Sequence, residues 1–233
     1  MTPLRQQFIR ELVIRGMAPK TQEAYVRVVR DLAGHYHKGP DRVSDDEIKD
    51  YLQFLAQEKQ LARSSVNVAV NGMRCFFDLV LKRDCEHLKR IVPHCKKAVR
   101  RPRVYSIEEL ERLFTAGCVH FKHRAFLMTV YGGGLRLGEA CRLKPSHIDS
   151  ARMQIRVEDG KGHKDRYTLL SPRLLQELRE YYRMFRPKDW LFFGRDQKEP
   201  LPHATGQKIF YHAQERAGLP ERGGIHSLRN AST

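Results

Sequence analysis

Apolar residues recur every three or four positions in four stretches of the first 82 residues, with polar residues between them. This spacing places the apolar side chains on one face of a helix, as in helices that pack around a shared core. The stretches are Leu4 to Leu12, Tyr25 to Leu32, Ile48 to Leu55 and Val66 to Val80. The letters SDDE from Ser44 to Glu47 are typical of a capping box that begins the third helix. The pattern predicts a compact helical domain over residues 1–82.

The pattern changes after Val104, where helical periodicity alternates with short stretches typical of strands. Met153–Val157 and Tyr167–Leu170 alternate around the turn Asp159–Lys164, which predicts an antiparallel hairpin. Six helices are predicted in this part of the chain. The first begins at Ser106, the second contains Phe126 to Val130, and the third spans Leu135 to Leu143. The other three begin at Ser171, near Gly206 and near Ile225. Residues 104–233 should therefore form a mostly helical α+β domain, and the whole chain should be mainly α with a small antiparallel β-sheet.

A basic segment lies between the two predicted domains. Lys82 to Arg103 contains nine lysine and arginine residues and two acidic ones, with Pro93, Pro102 and little periodicity. We interpret residues 83–103 as an interdomain linker. Its charge has two interpretations: a solvated loop, or a strap along a phosphate backbone, where each cationic side chain displaces condensed counterions.

The composition narrows the class of partner. The formal net charge is +16 and the isoelectric point is about 9.9, and such a positive field attracts polyanions, of which nucleic acid is the usual one. Five cysteines without a CxxC pair suggest neither a disulfide framework nor a zinc site. The N-terminus has no apolar signal core and no run of about 18 apolar residues occurs, so we expect a cytoplasmic protein with no membrane partner.

Four polar residues of the second domain stand in distinctive sequence contexts. Arg136 lies in GGLRLGEACRLK, Lys161 in DGKGHKDR, and both His226 and Arg229 in IHSLR. The spacing of three places His226 and Arg229 on one helical face. Each residue alone has an ordinary explanation, because helical arginines usually form surface ion pairs, lysines in glycine-rich turns are usually solvated, and single histidines are usually structural.

Taken together and in this order, these segments resemble the tyrosine-recombinase (phage-integrase) family. The segment TQEAYVRVVRDL, with MAPKT before it, resembles the helical, SAM-like core-binding domain of that family, so the resemblance covers about the whole chain. It implies a site-specific DNA recombinase or integrase. Such enzymes cleave and rejoin DNA by attack of a tyrosine on a phosphodiester, which gives a 3′-phosphotyrosyl intermediate.

The resemblance implies catalytic roles that agree with the chemistry of phosphoryl transfer. Arg136 and Arg229 are expected to grip the non-bridging oxygens, because guanidiniums are bidentate donors that stay charged. Lys161 is expected to protonate the leaving 5′-oxygen, with Lys164 as the competing choice, and His226 to act as a general acid/base or phosphate donor. No metal or other cofactor is expected, because these cations take the part that Mg²⁺ takes elsewhere.

Two features beside Arg136 have open interpretations. Glu139 lies one helical turn away and either orients the arginine or closes a buried network; we favour orientation. The glycine run Gly132–Gly134 permits a close backbone approach, either to a phosphate or to a neighbouring helix.

The sequence departs from the family pattern after the HxLR segment. The family continues with a Leu-Gly-His box and the nucleophilic tyrosine, whereas these residues end at Thr233, with Asn230 where relatives commonly have histidine. None of the nine tyrosines follows Arg229. The catalytic domain is therefore expected to be incomplete, and DNA binding without cleavage is expected. The alternatives are a non-catalytic DNA-binding regulator that occupies recombination sites, or a relative of type IB topoisomerases.

The expected partners are double-stranded DNA and other recombinase protomers on DNA. Contacts should go mainly to phosphates, which position a protein without reading sequence. The candidates for these contacts are Lys20, Arg63, Arg74, Arg100, Arg101, Lys164 and Arg166.

Overall fold

The computed structural model describes residues 2–95, 105–158, 165–221 and 223–230, apart from the side chains of Cys85 and Asn230. Contacts between Cα atoms divide the chain into two units, Met1–Val99 and Arg100–Thr233. The described residues are mostly helical, with a three-stranded antiparallel sheet in the second unit, which confirms the predicted fold class. Within these ranges no helix is long and apolar enough to cross a membrane.

The described part of the first unit is helical throughout. Its helices are α1 (Pro3–Ile14), α2 (Pro19–Tyr36), α3 (Asp45–Gln57), α4 (Arg63–Leu79) and α5 (Cys85–Ile91), with a 3-10 turn at Pro40–Arg42. The second unit has helices α6 (Ile107–Phe114), α7 (Phe121–Gly132), α8 (Leu137–Cys141), α9 (Pro172–Phe185), α10 (His203–Arg216) and α11 (His226–Asn230), and a 3-10 turn at Pro145–His147. Its strands are β1 (Ile148–Asp149), β2 (Gln154–Val157) and β3 (Arg166–Leu169).

Helix α4 lies at the centre of the first unit. More than half of its residues are buried, and α1, α2, α3 and α5 all pack against it. Phe8 of α1 meets Phe76 of α4 edge to face, with ring centroids 5.3 Å apart. The apolar residues between Val66 and Val80 therefore lie on the buried face of α4, as their periodicity predicted, and form the centre of this core.

Gly72 sets the distance between α2 and α4. A Cβ atom at this position would lie 3.1 Å from the Cβ of Val28 and 3.3 Å from the Cα of Tyr25. Carbon atoms pack best at about 3.5–4.0 Å. The two helices therefore approach this closely because residue 72 has no side chain.

The predicted capping box begins α3. Ser44 Oγ accepts a hydrogen bond from the Glu47 backbone N–H at 3.3 Å, and Glu47 Oε2 accepts one from the Ser44 N–H at 2.8 Å. Lys38 Nζ donates to both Glu47 oxygens, at 2.6 and 2.7 Å. The hydrogen bond from Lys38, followed by that from the Ser44 backbone, lowers the pKa of Glu47 to about 2. The carboxylate thus stays ionised at a helix N-terminus, where the helix dipole favours negative charge.

The structure corrects the predicted linker between residues 83 and 95. A helix, α5, forms there and packs against α3 and α4. Asp84 caps it, since Asp84 Oδ2 accepts a hydrogen bond from the His87 N–H at 2.7 Å. Its side chains in the core are Leu88 and Ile91, with Val92 directly after it. A helix of seven residues is too short to display periodicity. Residues 96–103 of the predicted linker lie outside the described residues.

The sheet of the second unit has the strand order β1-β2-β3, with antiparallel neighbours. Strands β2 and β3 confirm the predicted hairpin; Ile155 pairs with Thr168, and Val157 pairs with Arg166. The side chains of β2 alternate, with Ile155 and Val157 buried and Arg156 exposed. Strand β1 was not predicted, because two residues are too few to show alternation.

Helix α7 organises the second unit. Helices α6, α8, α9 and α11 all pack against it, and α10 packs against α6 and α8. Beside it, Phe192 contacts Phe126 of α7 and Tyr181 of α9, with ring centroids 5.2 Å apart in each pair. The C-terminal end of α7 is therefore held in place from several sides before the chain turns into α8.

We expect Gly72→Val to lower the free energy of unfolding of the first unit by about 1–3 kcal/mol, because the added side chain overpacks the α2–α4 crossing. The matched control is Gly34→Val, since Gly34 also lies inside a helix but nothing lies within 4 Å of a Cβ placed there. Urea unfolding followed by far-ultraviolet circular dichroism measures both variants. Equal midpoints for the two would contradict the steric role of Gly72.

Candidate active site

A turn built from glycines leads into Arg136. Gly134 has a φ of +56°, a conformation that favours glycine. A Cβ atom at Gly133 would lie 2.9 Å from the carbonyl oxygen of Thr129 and 3.3 Å from Cδ1 of Ile155. Of the two interpretations of the glycine run, approach to a neighbouring helix is supported at Gly132, where a Cβ atom would lie 3.2 Å from Cδ2 of Leu174 in α9.

Strand β3 ties this turn to the sheet. Thr168 Oγ1 donates a hydrogen bond to the carbonyl oxygen of Gly133 at 2.9 Å. Leu135, between the turn and Arg136, is fully buried. Arg136 follows in extended conformation, with φ −71° and ψ 152°, as the N-cap of α8. The backbone that carries Arg136 is therefore fixed on both sides.

A buried carboxylate holds two guanidiniums in place. Glu139 Oε1 accepts a hydrogen bond from Arg136 Nη1 at 2.6 Å, and Glu139 Oε2 accepts one from the Arg136 backbone N–H at 2.8 Å. The same Oε2 accepts a hydrogen bond from Arg166 Nη2 of β3 at 2.7 Å. The Glu139 side chain is 4% exposed, whereas those of Arg136 and Arg166 are 36% and 34% exposed. The acid thus lies beneath two cations that reach the surface.

The ionisation of Glu139 follows from these contacts. Burial alone would raise its pKa, but the hydrogen bonds from the backbone and side chain of Arg136, together with the charges of Arg166 and Arg136, lower the pKa below its ordinary value. Glu139 is therefore an anion at neutral pH. Because one carboxylate faces two guanidiniums, the group as a whole keeps a positive charge.

The HxLR segment forms α11. His226 is exposed and Arg229 is half-buried, while Ile225 and Leu228 are buried in the core of the unit. Helix α11 packs against α7, the helix whose C-terminal end leads to Arg136. The two apolar residues thus anchor the segment and leave His226 on the surface.

An ionic cluster holds the two ends of the β2–β3 hairpin. Glu158 forms ion pairs with Arg156 at 3.3 Å and with Lys144 at 3.6 Å, and its Oε2 lies 3.3 Å from Nε2 of His147. Arg156 also pairs with Asp165 at 3.2 Å, across the hairpin. Burial is the largest cause that lowers the pKa of His147. The residues on either side of segment 159–164 are therefore held by side-chain contacts as well as by the strand ladder.

Four of the predicted site residues lie outside the described residues: Lys161, Lys164, Arg100 and Arg101. Lys161 as proton donor, and the other three as DNA contacts, stay predictions.

Of the remaining predicted DNA contacts, Arg166 lies in β3 of the second unit, and Lys20, Arg63 and Arg74 lie in the first unit. Lys20 and Arg63 are exposed in the first turns of α2 and α4. Arg74 has a structural role, because its Nε donates to the carbonyl oxygen of Val92 at 2.8 Å and its Nη2 donates to that of Lys89 at 3.3 Å. It holds the end of α5 against α4. A DNA contact by any of the three stays a prediction.

Sequence reasoning missed two features of the site. Arg166 was singled out as a DNA contact, without its bond to Glu139. His203, the first residue of α10, was not singled out; its ring lies against Gly138, where a Cβ atom would be 3.0 Å from the ring Cε1. The absence of a side chain at Gly138 admits this ring beside the turn that carries Arg136. No sequence signal pairs residues this far apart.

The chemistry available at this site is cationic. The guanidiniums of Arg136 and Arg166 reach the surface here, and guanidiniums bind anions. Among the described residues, no group of three histidine, cysteine, aspartate or glutamate side chains could hold a metal ion. The arrangement is suited to an oxyanion such as a phosphodiester.

Comparison with protein families matches both units. Residues 4–87 match the family described as "Phage integrase, N-terminal SAM-like domain", and residues 103–233 match the "Phage integrase family". The chain belongs to the phage integrase family. This confirms the resemblance that the segments around Arg136, Lys161 and His226 indicated.

Named relatives of this integrase chain agree with the family. It is 41% identical over 232 residues to the "Putative integrase/recombinase y4qK" of Sinorhizobium fredii, an alignment that covers 99% of this chain and 74% of the relative. It is 28% identical over 200 residues to "Tyrosine recombinase XerC" of Halalkalibacterium halodurans, with 79% of this chain and 65% of the relative covered.

Solved integrase structures share the fold. A lambda integrase tetramer bound to a Holliday junction matches with a TM-score of 0.80 at 19% identity, covering 98% of this chain and 68% of that chain. A lambda integrase dimer bound to a COC′ core site matches with a TM-score of 0.78 at 19% identity, covering 98% and 86%. At this level of identity the likeness concerns the fold alone.

We expect Glu139→Gln to destabilise the second unit of the integrase chain at neutral pH by about 1–3 kcal/mol, because an amide leaves two guanidiniums without a counter-charge. The folded-state pKa of Glu139 lies below its unfolded value. Its contribution is therefore fully present above the unfolded pKa and is lost as the pH falls through the folded one. The difference between wild type and variant should shrink as the pH is lowered from about 7 to about 4 and below.

Trp190, the single tryptophan, lies in the second unit and reports its unfolding in urea. Glu111→Gln is the control, because Glu111 is exposed on α6. A Glu139→Gln difference that stays constant across this pH range would contradict an ionised, paired carboxylate.

Proposed function

We propose that this chain carries the DNA-binding parts of a site-specific DNA recombinase of the integrase type, and that it binds double-stranded DNA and holds one phosphodiester at Arg136. The observation that carries the proposal is the partly exposed Arg136 guanidinium fixed by the buried carboxylate of Glu139, in a chain that matches the family over both units. A cation held in place before the substrate arrives stabilises developing negative charge without further reorganisation. Family membership favours this proposal over the topoisomerase alternative.

The proposed roles follow from phosphoryl-transfer chemistry. In strand cleavage a tyrosine oxygen forms a bond to phosphorus and the bond from phosphorus to the 5′-oxygen breaks. Arg136 and Arg229 would bind the non-bridging oxygens, which carry the charge of the five-coordinate state. Lys161 would give its proton to the departing 5′-oxygen, and His226 would donate to the phosphate or exchange a proton there. Rejoining reverses these steps, so the bond energy is kept in the phosphotyrosine.

We further propose that residues 1–233 bind DNA without cleaving it. None of the tyrosines in this sequence follows Arg229, where the family's nucleophile is expected. Burial raises the pKa of Tyr51 to about 12 and also raises that of Tyr181. Both side chains are buried, Tyr51 at 3% and Tyr181 at 0% exposed, so we assign neither a nucleophilic role.

Several copies of the chain should meet on one DNA. The solved lambda integrase structures are described as a dimer on a core site and a tetramer on a Holliday junction. By analogy with them we propose that other protomers are partners of this chain when it is bound to DNA.

The wild-type chain is expected to bind a random-sequence DNA duplex with a steep salt dependence, since each neutralised phosphate contributes a slope of about −0.9 to log affinity against log salt. Arg136→Gln should reduce the magnitude of this slope by about one and weaken binding. Arg112→Gln is the control, because Arg112 is exposed on α6. Fluorescence anisotropy at several salt concentrations measures all three proteins. A wild-type affinity for DNA that does not change with salt concentration, or no measurable binding, would contradict the proposal.

The binding-without-cleavage part has its own test. Duplexes enriched by repeated selection on the chain would carry a single-strand break that prevents religation, so that any cleaved product stays attached to protein. We expect no species on a denaturing gel that contains both DNA and protein. A covalent adduct mapped to one tyrosine would overturn this part and leave the DNA-binding proposal in place.

A further inference from the structure

Arg166 occupies a special place in the hairpin. It is the first residue of β3 and stands five positions after Lys161 and two after Lys164. Its Cα partner across the ladder is Val157, whose side chain is buried. Arg166 therefore marks the point at which the chain re-enters the sheet after segment 159–164, the segment that contains both candidate lysines.

The side chain of Arg166 points back to the turn that carries Arg136. Its Nη2 donates to Glu139 Oε2 at 2.7 Å, the same oxygen that accepts the Arg136 N–H. The other oxygen of that carboxylate accepts Arg136 Nη1. One buried acid thus joins an arginine at the start of α8 to an arginine at the start of β3, 30 positions apart in sequence.

A second cationic donor on one oxygen of a carboxylate restricts the rotation of the carboxylate and also favours its ionised form. If Arg166 were absent, Glu139 would keep Arg136 as its one cationic hydrogen-bond donor among the contacts described above. Opposite charges within hydrogen-bond distance lower a carboxyl pKa by about one to three units. Loss of Arg166 would therefore raise the pKa of Glu139 and loosen its bond to Arg136.

We propose that Arg166 is a positioning residue, which fixes the Glu139 carboxylate and, through it, the guanidinium of Arg136. The position of the phosphate-binding Arg136 is thereby fixed relative to β3, the strand that follows the segment containing Lys161. The role of Arg136 towards phosphate rests on the proposed function above; the link between the two arginines does not. A DNA contact by Arg166 stays a prediction.

Two other basic side chains lie beside Gly138, the residue before Glu139. His203 of α10 packs against Gly138, and Nη2 of Arg142 lies 3.9 Å from a Cβ placed at Gly138. Arg136 and Arg166 face Glu139 directly. A titration of Glu139 must therefore be followed at its own carboxyl carbon.

The first test uses the full chain without DNA. Nuclear magnetic resonance would follow the Arg136 Nε–H signal and the carboxyl carbon of Glu139 across pH. We expect Arg166→Gln to move the Arg136 signal and to raise the pKa of Glu139 by about one unit or more. Arg166→Lys should lower that pKa again, because it restores a cation.

The matched control is Arg156→Gln. Arg156 lies on the neighbouring strand opposite Tyr167, loses the same charge, and pairs with Glu158 and Asp165 and not with Glu139. It should leave both signals as in the wild type. Cooperative unfolding reported by Trp190 would show that each variant is folded. An Arg136 signal and a Glu139 pKa unchanged in folded Arg166→Gln would overturn the proposal.

The second test adds inorganic phosphate to the same samples and follows the Arg136 signal. We expect Arg166→Gln to weaken phosphate binding about two- to tenfold, and Arg156→Gln to leave it unchanged. If Arg166→Gln weakens phosphate binding but leaves the phosphate-free Arg136 signal in place, Arg166 binds the anion itself and the positioning role is wrong. If phosphate leaves the wild-type Arg136 signal unchanged, but Arg166→Gln still moves that signal without phosphate, the proposed function fails and the positioning role stands.

Discussion

A carboxylate removed from water must be matched by hydrogen-bond donors, or its burial costs more than the surrounding structure can offset. Glu139 meets this requirement with the N–H and guanidinium of Arg136 and the guanidinium of Arg166. Helix α8 has five residues and β3 has four, so neither element fixes such geometry alone. The turn after α7, the start of α8 and the start of β3 are therefore built together around one acid.

The sign of the charge at this site follows from the same arrangement. A chain with a net charge of +16 repels itself wherever two guanidiniums come close. The buried carboxylate removes most of that repulsion locally and leaves one positive charge in excess. Because the acid lies beneath the arginines, an approaching anion meets cations and does not meet the carboxylate. An ion pair of the same composition fully exposed at the surface would orient the arginine side chains less, and salt would screen its charges more.

The sequence predicted the features that depend on neighbours along the chain. The stripe of α4, the Ser44 cap and the alternation of β2 were read correctly, because helix and strand periodicity are local. Helix α5 was missed because it is short, and Gly72 because a helix crossing depends on residues far away in sequence. At the site, the order of segments indicated Arg136, His226 and Arg229 through the family resemblance. The hydrogen bond between Arg166 and Glu139 could not be predicted, since a carboxylate shared by residues far apart in sequence leaves no periodic pattern along the chain.

Helix α5 also bears on the order in which this protein takes shape during synthesis. It supplies Leu88 and Ile91 to the first core, and it packs against α3 and α4, which the ribosome makes earlier. The helical bundle can therefore close once about the first hundred residues have emerged, while the second unit is still being translated. The apolar surface of the first unit is then already covered when the second unit, with its own separate core, leaves the ribosome.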